Sequence, residues 1–255
     1  MSLDEANSLP IFDNCIITVV RGMCYMHPAI ASVIRSKIKN KIYCMCENNK
    51  VIGSEDVLLC MIGKMSAKCI QTYWGCDLEM LKPKKEIGKI NILLDHEYYG
   101  SRSSTIFQKD ISQRYVDSIL AYQKVNDRVI ANQIGSGGVF QIKEGYQIPM
   151  FIQAAGLDFR LMYENYNKAD LFLVTHPGSF GFSIVETAAA GALIVAPKDY
   201  IHPFLLDKIH HVIIDPDDID WDKVINSIDV ELSMTKARMF SYENLARDLH
   251  KALEG

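Results

Sequence analysis

Apolar residues along this chain fall in short runs separated by glycine-bearing breaks and by stretches of helical period. "CIITVV" (15–20), "KIYCMCE" (41–47) and "KCIQTYW" (68–74) read as strands. A helix opening at His27-Pro28 is predicted to reach about Ile38, and a fainter helical pattern covers Val57–Met65. Strand, glycine, helix, strand is the cadence of parallel α/β units. "LKPKKEIGK" (81–89) then interrupts with charge, proline and glycine, which marks a domain boundary. Beyond it "INILLD" (90–95) is a near-continuous apolar run of the kind buried on both faces. Helical spacing follows from Thr105 to about Tyr122, then strands "RVIANQI" and "GVFQIKEG" around Gly135–Gly138, a helix over Ile152–Lys168, and "DLFLVT" (170–175). "ALIVA" (192–196) and "HVIID" (211–215) are further strands, Asp220 or Trp221 starts a helix, and a last helix is predicted over Ser233–Leu253. The pattern predicts a reduced N-terminal α/β lobe over 1–82, a doubly wound α/β lobe over 89–230, and a C-terminal helix over 231–255 free to pack back on the first lobe.

Composition narrows the classes. With 255 residues, 49% of them hydrophobic, and a net charge of −4, the chain lacks the clustered Lys and Arg of a nucleic-acid binder. No apolar run approaches the roughly 20 residues that span a bilayer, so a soluble, cytoplasmic protein is expected. Seven cysteines, all between Cys15 and Cys76, are an odd number with no Cys-x-x-Cys pair, so buried free thiols are expected rather than disulfides or a metal site. "IDPDDIDWD" (214–222) is acidic but lacks the glycine and closing glutamate of a calcium loop, and reads as a turn and helix cap.

The most informative stretch is "HPGSFGFSIVETAAAGALIVAP", from His176 to Pro197. It places a loop with two glycines between a buried strand and a short helix of small residues. A helix N-terminus presents unpaired N–H groups and partial positive charge, and glycines allow the backbone to approach an anion closely. Gly178, Gly181 and Ser183 are therefore candidate phosphate contacts, and Gly191 is placed to end the helix. Glu186, one turn in, has two readings. Ser183-Ile-Val-Glu186 matches a capping box, in which the Glu returns to the N-cap amide; equally, the carboxylate could accept two hydrogen bonds from a ribose diol beside the phosphates.

These residues resemble the nucleotide-sugar signature of GT-B glycosyltransferases, a Glu-x7-Glu element. The resemblance is specific over about 175–198, and the order of elements fits over 89–228. Glu186 falls on the second Glu, Phe180-Gly181 on the Phe-Gly, and Ala188–Gly191 on the small-residue run. Gly178 stands where the first Glu, a donor-sugar contact, is expected. The resemblance implies two Rossmann-like lobes and a nucleoside-diphosphate sugar held by His176, Gly178, Ser179, Phe180, Gly181, Phe182 and Ser183, with ribose on Glu186. Arg102 and Lys109, after the first strand of the second lobe, correspond to the diphosphate-neutralising cations.

Catalysis in such a fold needs the first lobe. His27 lies at a helix start after Gly22, where inverting relatives place a base, and an imidazole suits proton removal from an acceptor hydroxyl near neutral pH. The other reading makes it a helix-start residue before Pro28. The expectation is a metal-independent transferase with no cofactor beyond the donor and with a glycan, lipid or protein acceptor. The alternatives are a nucleotide-sugar epimerase of related fold and an inactive binding or assembly subunit.

Overall fold

The computed structural model describes residues 2–11, 18–20, 29, 32–33, 36–37, 43–46, 57–60, 69–71, 73, 75–95, 106–135, 150–152, 159–175 and 182–254. The chain divides into two compact units, Met1–Trp74 with Glu243–Gly255, and Gly75–Tyr242.

The first unit begins with helix α1 (Leu3–Ser8), closed by a capping box in which the Ser2 hydroxyl accepts from the Glu5 amide and the Glu5 carboxylate accepts from the Ser2 amide. Strands β1 (Thr18–Val20), β2 (Tyr43–Cys46), β3 (Val57–Cys60) and β4 (Cys69–Gln71) form a parallel sheet in chain order. Val57–Cys60, expected as the start of a helix, is a strand. It pairs with β2 from Tyr43↔Val57 and with β4 from Leu58↔Cys69. Four apolar residues carry no period long enough to distinguish the two states, and pairing on both sides decides for the strand. Tyr73 donates from its hydroxyl to Asp248 at 2.8 Å, tying the C-terminal helix into this unit.

The second unit carries β5 (Ile90–Asp95), α2 (Ile106–Gln123), β6 (Val129–Gly135), β7 (Met150–Ile152), α3 (Phe159–Lys168), β8 (Leu171–Leu173), α4 (Phe182–Ala189), β9 (Leu193–Ala196), α5 (Pro203–Leu206), β10 (His211–Ile213), α6 (Trp221–Asn226) and α7 (Val230–Ala237). Its six parallel strands lie in the order β10-β9-β8-β5-β6-β7. The chain thus winds outward from β5 to one edge, returns to β8 beside it, and winds to the other edge, which is the doubly wound Rossmann-like topology. Ile92, Leu93 and Leu94, Leu171, Phe172 and Leu173, and Leu193, Ile194 and Val195 are all buried; successive residues point to opposite faces, so these strands are covered on both. Each such side chain stabilises the fold by about 1.5–3 kcal/mol relative to exposure.

Helices follow the same logic. Tyr115, Ile119 and Leu120 give α2 its buried face. The Trp221 indole of α6 stacks on Tyr122 and donates to Ser118 at 2.9 Å, which docks α6 on α2. Asp220 caps α6 by accepting from the Lys223 amide, and Asp215 and Asp217 accept from the Arg114 guanidinium, so the acidic run is a turn and cap. The stretch 81–89, expected as a linker, is packed into this unit: Leu81 is buried, and the Lys84 amide donates to the Asn167 carbonyl. At the N-terminal end of β8, buried Asp170 accepts from the Asn91 amide at 2.7 Å, and Lys85 Nζ donates to the Ala169 carbonyl alongside.

The single last helix expected over 233–253 is instead α7, a 3-10 turn (Arg238–Phe240) and α8 (Tyr242–Glu254). The break has a cause distant in sequence. Cys76 forms a parallel bridge with Ser241, donating to the Phe240 carbonyl at 2.7 Å and accepting from the Tyr242 amide at 3.3 Å, so the chain is extended where helical period alone would carry it on. The helix expected from Ile152 begins at Phe159, after β7 has paired with β6 from Gln133↔Met150. The expected strand 138–145 lies outside the described residues.

Candidate functional site

The point where strand order reverses is β5 against β8, paired from Ile92↔Leu171 to Leu94↔Leu173. Crevices outside the carboxyl ends of such strands are where open α/β sheets bind ligands. The chain leaves β8 through buried Val174 and Thr175 and enters α4 at Phe182. Ala188, Ala189 and Ala190 are buried, and their small size permits close packing. The C-terminal end of α4 is a Schellman closure: the Ala192 amide donates to the Thr187 carbonyl at 2.9 Å and the Gly191 amide to the Ala188 carbonyl at 3.0 Å. Gly191 is fixed there twice over. Its φ of 87° is left-handed, and a Cβ would lie 2.7 Å from Val230 Cγ1 and 3.2 Å from Pro83 Cγ.

Glu186 is the chemical feature of this helix. It is 6% exposed, although a carboxylate is among the groups least often buried without a partner. The capping-box reading does not hold, because Ser183 lies inside α4 rather than before it; its carbonyl accepts from the Thr187 hydroxyl one turn on. The carboxylate turns instead toward α3, where the Tyr163 hydroxyl donates to Oε1 at 3.4 Å. Burial pushes the Glu186 carboxyl up to about 7, and the Tyr163 hydrogen bond only partly opposes it. Among the described residues no cation offsets the burial.

Around it the structure gathers groups that the sequence does not associate. Cys76 is buried, and its thiol is pushed up to about 12 by burial first and then by the negative charges of Glu186 and Asp77. Burial and the proximity of Glu186 also raise the Tyr163 and Tyr242 hydroxyls above their ordinary range. A carboxylate held this way can accept a pair of hydroxyl donors, and would gain from them the solvation that burial removed.

Of the residues singled out in the sequence, Ser183 and Glu186 lie together on α4, Phe182 opens that helix, and Lys109 lies in α2. His27, Arg102, His176, Gly178, Ser179, Phe180 and Gly181 lie outside the described residues. Tyr163 escaped the sequence reading because its partner is 23 residues away; its only local sign is the helical spacing of Tyr163 and Tyr166, whose rings sit 6.2 Å apart. Among the described residues no cluster of His, Cys, Asp and Glu could hold a metal ion, and no helix is long and apolar enough to cross a membrane. A cavity of about 140 Å³ lined by Glu86, Asn91, Ile130, Asn165 and Lys168 opens near the N-terminal ends of β5 and β6, at the end of the sheet opposite to the carboxyl ends of β5 and β8.

Solved structures share this architecture. HepE from Anabaena in complex with UDP and glucose superposes with a TM-score of 0.63 at 11% identity, covering 94% of this chain and 77% of that one. The UDP-forming α,α-trehalose-phosphate synthase of Burkholderia xenovorans, in complex with glucose-6-phosphate, superposes with 0.62 at 12% identity, covering 94% and 73%. Sucrose-phosphate synthase from Thermosynechococcus elongatus gives 0.50 at 12% identity, covering 92% and 63%. The fold is that of the GT-B glycosyltransferases. No family model and no curated protein sequence matches the chain. At these identities the GT-B likeness is one of fold, so the chemistry has to be argued from Glu186 and its surroundings.

Proposed function

We propose that this chain is a glycosyltransferase that takes a nucleoside-diphosphate sugar, with UDP as the first nucleotide to test. The observation that carries the reading is the position of Glu186: a buried carboxylate one turn into the helix that follows β8, at the strand-order reversal of a GT-B fold. Structures of this fold include complexes with UDP and with UDP-glucose. Glu186 would accept the two ribose hydroxyls, the amides at the start of α4 would meet the diphosphate, and Arg102 and Lys109 would add positive charge. In the transfer, the bond between the sugar's anomeric carbon and the diphosphate oxygen breaks, a bond to the acceptor oxygen forms, and the acceptor proton passes to a base, for which His27 is the candidate. Charge developing on the departing diphosphate is stabilised by fixed N–H dipoles and cations. No metal is needed in this scheme.

The substitution of Gly178 for the first Glu of the signature favours a second reading, a subunit that binds nucleotide sugar without transferring it. A thermal-shift series with UDP, UDP-glucose, GDP-mannose and CDP tests the shared premise, since a ligand selective for the folded state raises Tm. A rise with at least one nucleotide at millimolar concentration supports it; no rise with any sinks both readings. UDP release from UDP-glucose in the presence of candidate acceptors then separates transferase from binding subunit. An epimerized sugar formed without acceptor would indicate the epimerase alternative instead.

A further inference from the structure

We infer that Tyr163 is a positioning residue for the nucleotide site: its hydroxyl holds Glu186 Oε1 and so turns Oε2 toward the incoming ribose. This rests on the assignment of the ribose to Glu186. The Tyr163 hydroxyl is the carboxylate's hydrogen-bond partner among the described residues, reaching across from α3 to α4. The tyrosine ring is itself placed by its i, i+3 neighbour Tyr166, which is buried. Glu186 is itself buried, so the orientation of its carboxylate is set by the groups packed against it.

A carboxylate on a helix can rotate about its last torsion, and only one orientation offers a free oxygen edge to a diol. Fixing one oxygen removes that freedom before the ligand arrives, which lowers the ordering cost of binding. Tyr163 also favours the charged carboxylate over the protonated acid, the form that accepts from both hydroxyls. The other titratable groups coupled to Glu186 are Cys76 and Tyr242, which carry no charge near pH 7; Asp77 lies near those same two groups and raises both.

The test is a double-mutant cycle on UDP affinity, read by calorimetry, with the Glu186 titration followed by carbon NMR of glutamate-labelled protein. Tyr163→Phe is expected to weaken UDP about 3- to 10-fold, to shift the Glu186 midpoint upward, and to have no further effect in a Glu186→Ala background, which removes the acceptor that Tyr163 holds. Equal weakening in both backgrounds would mean that Tyr163 touches the ligand itself and would overturn the positioning role. An unmoved Glu186 midpoint would overturn it as well, whatever the affinity does. If Tyr163→Phe moves the midpoint while Glu186→Ala leaves UDP affinity intact, the pairing stands and the ribose assignment is what fails. Tyr163→Trp, which keeps an aromatic ring but cannot place a donor at the same point, should behave as Phe does; recovery of wild-type affinity with Trp would show that only packing matters.

Discussion

Replacing Glu186 by Gln should stabilise the protein and weaken its ligand binding, and the stability gain should depend on pH in a calculable way. The native carboxyl holds its proton up to about 7 because it is buried, whereas the unfolded chain releases it near 4.5. Between those values the native state binds the extra proton, so stability falls as pH rises through that window and is flat above it. At roughly 1.36 kcal/mol per pH unit, linkage gives a penalty of about 0.4 kcal/mol at pH 4.5, ~2 kcal/mol at pH 6 and ~3 kcal/mol at pH 8. Gln is isosteric, accepts the Tyr163 hydrogen bond, and carries no charge to desolvate. The assay is urea denaturation at the three pH values, with Trp221 fluorescence reporting the second unit in a Trp74→Phe background, since Trp221 is buried and stacked there. With a urea slope of about 2–3 kcal/mol/M, the midpoint of Glu186→Gln should exceed that of its parent by roughly 1 M at pH 8 and by little at pH 4.5. Equal midpoints at pH 8, or a gain that does not change with pH, would refute the claim that Glu186 is a buried carboxylate with no cation beside it among the described residues.

Other expectations follow from the same geometry. UDP binding should release close to one proton at pH 6 more in wild type than in Glu186→Gln, and the difference should vanish by pH 8.5; calorimetry in buffers of different ionisation enthalpy measures it. Gly191→Ala should cost about 2–4 kcal/mol in urea denaturation, combining a left-handed backbone with a methyl group forced against Val230 and Pro83. Asp170→Ala should cost about 2–4 kcal/mol in the same assay, because the Asn91 amide loses its buried acceptor and Lys85, itself depressed to about 8 by burial, loses its nearby negative charge.

Local pattern shows some of this plainly. "INILLD", "DLFLVT" and "ALIVA" announce strands covered on both faces, and they are the three adjacent strands at the centre of the second sheet. Gly191 was legible as a helix terminator because the small-residue run ends there and an apolar run follows. What local pattern could not show depends on partners far along the chain. The strand at Val57–Cys60 is settled by neighbours on both sides, and the break at Ser241 by Cys76. Glu186 illustrates the difference within one residue: its spacing from Ser183 suggested a cap, and the start of α4 at Phe182 removes that role. A tyrosine on another helix then supplies the hydrogen bond. The resemblance carried by Phe180–Gly191 marked Glu186 for ligand contact, but neither its burial nor the company of Tyr163, Cys76 and Tyr242 is written in local spacing.

The most direct measurement is a crystal structure of the chain with UDP. The account predicts both ribose hydroxyls within hydrogen-bond distance of Glu186, about 2.6–3.0 Å, with the diphosphate over the first amides of α4 and Tyr163 closed onto Oε1. UDP bound elsewhere, or a Glu186 carboxylate that still faces only protein with the nucleotide in place, would contradict it.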